Sequence, residues 1–269
     1  MPDRHFESGD LTLRYRAEGE GPAIVFLHGW TFDLDLWEPQ AIALADSMQV
    51  LRFDRRGFGG SSGAPDRERD ADDLVALLDH WQVARAVLVG MSQGARMALA
   101  FALGHPDRVA ALVLDGPPDY FGAGGPEADG DLLLAPLRAL ARDAGMDAFR
   151  RAWRAHPLMR LHGDDESARA LRDRMLARYP GTDLLQPDPA SAPPLDAKAL
   201  ARLAMPILVI NGEFDTPARL RAGERLQRAL PRAEHVLLPE AGHLANLDNP
   251  AAYNGALRAF LGRQSRAAA

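Results

Sequence analysis

The sequence predicts an α/β protein: a mostly parallel, doubly wound sheet with helices on both faces and a helical segment inserted near the middle. Three observations predict it. Short continuous apolar runs recur along the chain, as in strands buried on both faces. Stretches of helical spacing separate several of these runs, the alternation expected of a parallel sheet with crossover helices. One long stretch carries helical spacing alone and is bracketed by proline and glycine.

Residues 11–16 (LTLRYR) alternate apolar and polar, the pattern of a half-buried strand. Residues 23–27 (AIVFL) form the first continuous run, and similar runs recur at 49–53, 86–90, 110–114, 206–210 and 235–238. Helical spacing fills 38–47, 70–82, 94–104, 217–230 and 250–262. From about 117 to 196 the alternation stops. Pro117, Pro118, Gly122, Gly124, Gly125 and Pro126 open that stretch, and Gly181, Pro187, Pro189, Pro193 and Pro194 close it. Between them, 131–144, 146–155 and 165–178 have amphipathic helical spacing. The expected division is a core of 1–120 with 196–269, and a helical lid of 121–195 over the strand ends.

With 269 residues, 47% of them hydrophobic and 25% charged, the chain is long enough for one large domain that folds without metal or disulfide. It has no cysteine, which excludes thiol catalysis, thiolate-bound zinc and disulfides. A net charge of −6 offers nothing to a polyanion, so a nucleic-acid partner is not expected. Lys198 is the only lysine and no P-loop surrounds it, which leaves Schiff-base and P-loop chemistry without support. The opening MPDRHFESGD lacks the apolar core of a secretory signal, and no run reaches the roughly 18 apolar residues of a membrane span. A soluble cytoplasmic protein without a membrane partner is expected; composition does not set its oligomeric state.

The strongest chemical signal is Gly90-Met91-Ser92-Gln93-Gly94, directly after an apolar run and directly before a helical stretch. A sharp strand-to-helix turn forces such a serine into a strained backbone conformation, and the flanking glycines leave room for it. The serine oxygen then stands clear of the sheet beside a helix N-terminus, which favours developing negative charge. His28-Gly29-Trp30 follows the first buried run and belongs to the loops that line the crevice at the carboxyl ends of strands. Its Trp30 N–H, with that of Gln93, is a candidate oxyanion hole. His28 itself is expected to be structural.

Asp215 follows the run 206–210, where a carboxylate can orient a histidine through its Nδ1–H. Asp115 is the alternative, since it also ends a strand run, and Glu213 is a weaker one. His243, in Glu240-Ala241-Gly242-His243-Leu244, follows the last run and completes the chain order serine, acid, histidine. Histidine is the side-chain type suited to accept a proton from Ser92 and return it to a leaving group. The other histidines, such as His80, His105, His156 and His162, fall in expected helices or the insertion.

Together these residues resemble the α/β-hydrolase superfamily over about 10–120 and 196–265, with its motifs in the expected order. Phe53-Asp54-Arg55-Arg56-Gly57-Phe58-Gly59-Gly60-Ser61 resembles the family's D-x-R-G-x-G-x-S loop, and that resemblance implies a structural role. The tail Gly242 to Pro250 is similar to the 3-oxoadipate enol-lactonase and carboxylesterase branch. The resemblance also implies exclusions. Haloalkane dehalogenases and epoxide hydrolases of this fold carry aspartate where Ser92 stands, and dienelactone hydrolases carry cysteine. Hydroxynitrile lyases rely on a lysine that Lys198 does not match. The meta-cleavage C–C hydrolases have asparagine and tryptophan where Met91 and Leu244 stand.

The expected activity is cleavage of a small-molecule ester, lactone or thioester by Ser92, His243 and Asp215, with no cofactor and no metal. Two alternatives stay open. One is a perhydrolase (cofactor-free haloperoxidase) or cofactor-independent oxygenase on the same triad; the other is a ligand-binding protein without turnover. Arg96, one helical turn after Ser92, is a candidate clamp for a substrate carboxylate, or else a helix arginine paired elsewhere. Trp153, with Phe149, Leu158 and Met159, is a candidate for an apolar substrate pocket, or else for packing of the insertion.

Overall fold

A computed structural model describes residues 2–119, 132–186 and 196–268. The expected breakers from Gly122 to Pro126 and from Pro187 to Pro194 lie outside the described residues. In chain order the elements are β1 (Arg4–Ser8), β2 (Leu11–Glu18), β3 (Ala23–Leu27), α1 (Glu38–Leu44), β4 (Gln49–Phe53), α2 (Asp70–His80), β5 (Ala86–Met91) and α3 (Gln93–Gly104). After β6 (Val109–Asp115) come α4 (Leu134–Arg154), α5 (Glu166–Arg178), α6 (Thr182–Leu185) and α7 (Ala197–Leu200). The chain then returns through β7 (Ile207–Gly212), α8 (Pro217–Ala229), β8 (Ala233–Leu238), α9 (Ala245–Asp248) and α10 (Pro250–Ala268).

The eight strands form one sheet in the order β1-β2-β4-β3-β5-β6-β7-β8, parallel from β4 onward, with β1 and β2 antiparallel at one edge. Successive side chains of a strand point to opposite faces. Val25 and Leu27 therefore pack with Leu74, Phe101 and Leu226 of α2, α3 and α8. Ile24 and Phe26 pack with Ala41 and Tyr253 of α1 and α10. Burial on both faces accounts for the unbroken apolar runs of β3 to β7, whereas in the edge strand β8 only Leu238 is buried.

β1 is an element that periodicity misses. Its five residues RHFES are largely exposed and earn their strand through pairing with β2, not through an apolar face. The expected break between two helices near 145 is present as a kink inside α4, where Gly145 has φ 82° and ψ 168°. The helices α4 to α6 join the core through Phe149, Trp153, Leu171, Met175 and Tyr179, which pack in one cluster with Trp30 and Phe32. Among the described residues no helix is long and apolar enough to cross a membrane.

Candidate active site

Ser92 stands between β5 and α3 with φ 54° and ψ −110°. A non-glycine residue at positive φ is strained by about 1–3 kcal/mol. The surroundings impose it. Ser92 N–H donates to the Asp115 carbonyl at 2.8 Å, while the Ser92 carbonyl accepts from Ala95 and Arg96 at 3.1 and 3.2 Å, so the helix starts at once. A Cβ at Gly90 would lie 2.2 Å from the Gly94 oxygen, and one at Gly94 would lie 2.1 Å from the Leu27 oxygen. Only glycine lets strand, helix and β3 close on one another at this turn.

The acid–base pair is delivered by β7 and β8. Their following loops are tied together: Glu213 N–H donates to the Leu238 carbonyl and Phe214 N–H to that of Ala241, both at 2.9 Å. The Glu213 carboxylate accepts from the Glu240 N–H at 2.5 Å, which spends this weaker acid candidate on the loop. Asp215 Oδ2 lies 3.2 Å from His243 Nδ1 and also accepts from Asn211 Nδ2 at 3.3 Å. Its Oδ1 accepts from Thr216 N–H at 2.8 Å. Both side chains are buried. Burial pushes the Asp215 carboxyl up, but His243, the Arg219 guanidinium and the Thr216 N–H outweigh it and hold the pKa below its usual value.

Asp115 is the reverse case. It is fully buried, it feels the charge of Asp215, and its pKa is driven well above 3.8. The Tyr253 hydroxyl lies beside it without reaching hydrogen-bond geometry. Two carboxyls whose environments drive them apart have different tasks. The ionised one, Asp215, is in contact with the histidine. Gly116 marks where the pieces converge: a Cβ there would lie 2.7 Å from His243 Cε1, 2.8 Å from Nδ1 and 3.6 Å from Asp215 Oδ2. Gly116 directly follows Asp115, whose carbonyl holds Ser92.

The loop after β3 lies against the elbow, since the Gly94 position is closed by the Leu27 and His28 carbonyls. Among the described residues, neither Trp30 N–H nor Gln93 N–H has a hydrogen-bond acceptor. His28 is fully buried and spent on the loop. Nδ1 donates to the Gly29 carbonyl at 2.8 Å and Nε2 accepts from Arg55 N–H at 3.0 Å. Burial, reinforced by Arg55, holds this imidazole neutral. The Gln93 amide oxygen is likewise taken, by Arg55 Nη2 at 3.1 Å.

The insertion grips the side chain of Trp30. Its Nε1–H donates to Asp183 Oδ2 at 2.7 Å, and the other Asp183 oxygen accepts from the Tyr179 hydroxyl. Trp30 packs on Trp153, Phe149 and Tyr179 with centroids 4.8, 5.9 and 6.2 Å away. Trp153 donates through Nε1 to Thr31 Oγ1 at 2.9 Å and is 3% exposed. Aromatic packing and a satisfied indole N–H tie Trp153 to the loop, as the packing alternative expects. Phe149, Leu158 and Met159 are equally buried. Arg96 is half-buried and lines a cavity of about 950 Å³. Asp183 and Tyr179 carry no local sequence signal, because their partner Trp30 is some 150 residues away in the chain.

A strained serine between strand and helix, with a histidine–carboxylate pair at the next strand ends of an eight-stranded sheet, defines the α/β-hydrolase class. The family model for the alpha/beta hydrolase fold matches residues 22–250, and the chain belongs to that family. It is 26% identical to 3-oxoadipate enol-lactonase 2 of Acinetobacter baylyi, over 98% of this chain and 99% of that protein. It is 28% identical to a pimeloyl-[acyl-carrier protein] methyl ester esterase of Nitrosomonas europaea, over 89% and 95%. The crystal structure of the enol-lactonase from Burkholderia xenovorans superimposes with a TM-score of 0.80 at 29% identity, covering 96% of this chain and all of that one.

Proposed function

We propose that this chain is a serine hydrolase that cleaves a carboxylic ester, lactone or thioester of a small molecule. The observation that carries it is the 3.2 Å contact of His243 Nδ1 with buried, ionised Asp215 at the flank of the Ser92 elbow. With Nδ1–H held by the carboxylate, the imidazole lone pair is on Nε2. Ser92 Oγ attacks the acyl carbon as Nε2 takes its proton. The Trp30 and Gln93 N–H groups stabilise the oxyanion, and a donor of this kind is typically worth about 10²–10³ in rate. His243 then protonates the leaving group, and water, deprotonated by the same nitrogen, releases the acyl group. The helices α4 to α6, within the 121–195 insertion, act as the lid. Lactonase and esterase relatives support the reaction class.

The test is labelling with a fluorophosphonate, mapped by mass, beside hydrolysis of p-nitrophenyl butyrate. One adduct on Ser92, lost together with ester cleavage in Ser92→Ala, is the expected result. Folded protein with neither adduct nor cleavage would overturn the hydrolase assignment. An adduct without cleavage, but with peroxide-dependent halogenation, would turn it to a perhydrolase.

A further inference from the structure

The 950 Å³ cavity is lined by Gln93, the residue after Ser92, and by Arg96, Met97, Ala100 and Leu103 of α3. Residues 63–71 wall it on the other side, and Arg138 and Asp183 belong to it from the insertion. Six arginines line this space, and the guanidinium groups of Arg55 and Arg96 act on that of Arg67. Arg55 is fixed: Nη1 donates to Asp70 at 3.2 Å, Nη2 to Gln93 at 3.1 Å, and its plane sits 4.6 Å above the Phe58 ring.

Arg67 is different. Among the described residues its half-buried guanidinium makes no hydrogen bond and no ion pair. Burial first, then the like charges of Arg55 and Arg96, press its pKa below the usual arginine value, against the pull of Asp183 and Asp70. A guanidinium carries five donors and stays charged, so such a position is unfavourable unless an anion completes it.

The acids that line the cavity are committed or peripheral. Asp70 binds Arg55, and Asp183 is satisfied by Trp30 and Tyr179. Asp66 caps the N–H groups of Glu68 and Arg69. Asp10, Glu68 and Asp196 are exposed at the rim. Among the described residues no inner carboxylate is left to answer Arg67.

We propose that Arg67, flanked by Arg55 and Arg96, forms a subsite for an anionic group of the substrate, a carboxylate or a phosphate, whose ester bond is presented at Ser92. This rests on the hydrolase function proposed above and narrows it to esters or lactones that carry a second, negatively charged end. Planar guanidinium groups suit such oxyanions because two parallel N–H donors match two oxygens.

The experiment compares the p-nitrophenyl monoester of adipate with neutral p-nitrophenyl butyrate on parent, Arg67→Gln and Arg67→Lys. The parent is expected to favour the anionic ester in kcat/KM, and Arg67→Gln to lower that ratio at least tenfold, mainly through KM, with Arg67→Lys between them. Equal ratios in all three proteins, with ester cleavage intact, would overturn the subsite and leave the hydrolase standing. Calorimetric titration of Ser92→Ala with adipate and with inorganic phosphate reads the subsite without turnover. Binding of adipate alone identifies a carboxylate site, and binding of both a general oxyanion site; either is to be weakened at least tenfold when Arg67→Gln is added. Binding of neither at millimolar concentration would overturn it, whatever the outcome with fluorophosphonate.

Discussion

Exchanging Asp115 and Asp215 separately for asparagine distinguishes the two carboxyls at the heart of the site. Asparagine is nearly isosteric with a protonated carboxyl. Asp115, held protonated by burial and by the charge of Asp215, is expected to tolerate the change with kcat/KM altered only a few-fold. Asp215→Asn removes the charge that stabilises the imidazolium and lets an amide compete for Nδ1. Such an exchange lowers kcat by about 10⁴, or roughly 5 kcal/mol of barrier.

Stability gives a second readout with a defined sign. The folded pKa of Asp115 lies above the unfolded value of 3.8, so the folded chain keeps a proton that the unfolded chain has lost. The stability linked to that proton is complete below the unfolded pKa and falls by about 1.4 kcal/mol per pH unit until the folded pKa is passed. Asp115→Asn has no such slope. Urea unfolding at a series of pH values rising from 3.8 should show the variant gaining on the parent as the pH rises. Parallel profiles, or loss of turnover in Asp115→Asn with turnover retained in Asp215→Asn, would refute the assignment of the two acids.

Three further outcomes follow from the same geometry. Ser92→Gly should be more stable than Ser92→Ala by about 1 kcal/mol, because only glycine relaxes at φ 54°; equal urea midpoints would mean the elbow stores no strain. Asp183→Ala strands the Trp30 and Tyr179 donors and should destabilise by roughly 2–5 kcal/mol, so a melting temperature within about a degree of the parent would deny them that role. Burial first, then the Asp54 and Asp35 charges, push Asp33 up to about 6 against Arg178. Its protonated form therefore supports stability that is lost between about pH 4 and 6, by roughly 3 kcal/mol, and Asp33→Asn should remove that fall from the urea profile.

The parts of the fold that were legible in the sequence are those with a one-dimensional cause. Residues 23–27 read as a buried strand because both faces of β3 meet helices, and the Gly90 to Gly94 turn reads as an elbow because sterics there admit only glycine. β1 was illegible because its support comes from backbone pairing with β2, which side-chain pattern does not record. Asp215 was distinguishable from Asp115 only by environment. Each ends a strand, but one gains four favourable partners, His243, Asn211, Arg219 and Thr216, and the other gains full burial and a like charge. Arg67 sits in a stretch, PDRERD, that reads as a solvated charge run, and only the fold turns it inward beside Arg55 and Arg96.

Trp30 joins the two halves of the molecule through one residue. Its backbone N–H lies unclaimed beside the elbow, and its side chain is held by four residues of the insertion: Phe149, Trp153, Tyr179 and Asp183. Rotating that indole away from Asp183 would move the peptide that bears the N–H, so the packing of α4 to α6 sets the aim of a proposed oxyanion donor. Asp183 also belongs to the arginine-lined cavity, where its charge reaches Arg67. An anion arriving at Arg67 would thus bear on the same carboxylate that fixes Trp30. Substrate recognition and transition-state stabilisation would then share one buried side chain, which is why a substitution in the insertion, distant in sequence from Ser92, is expected to change kcat as well as KM.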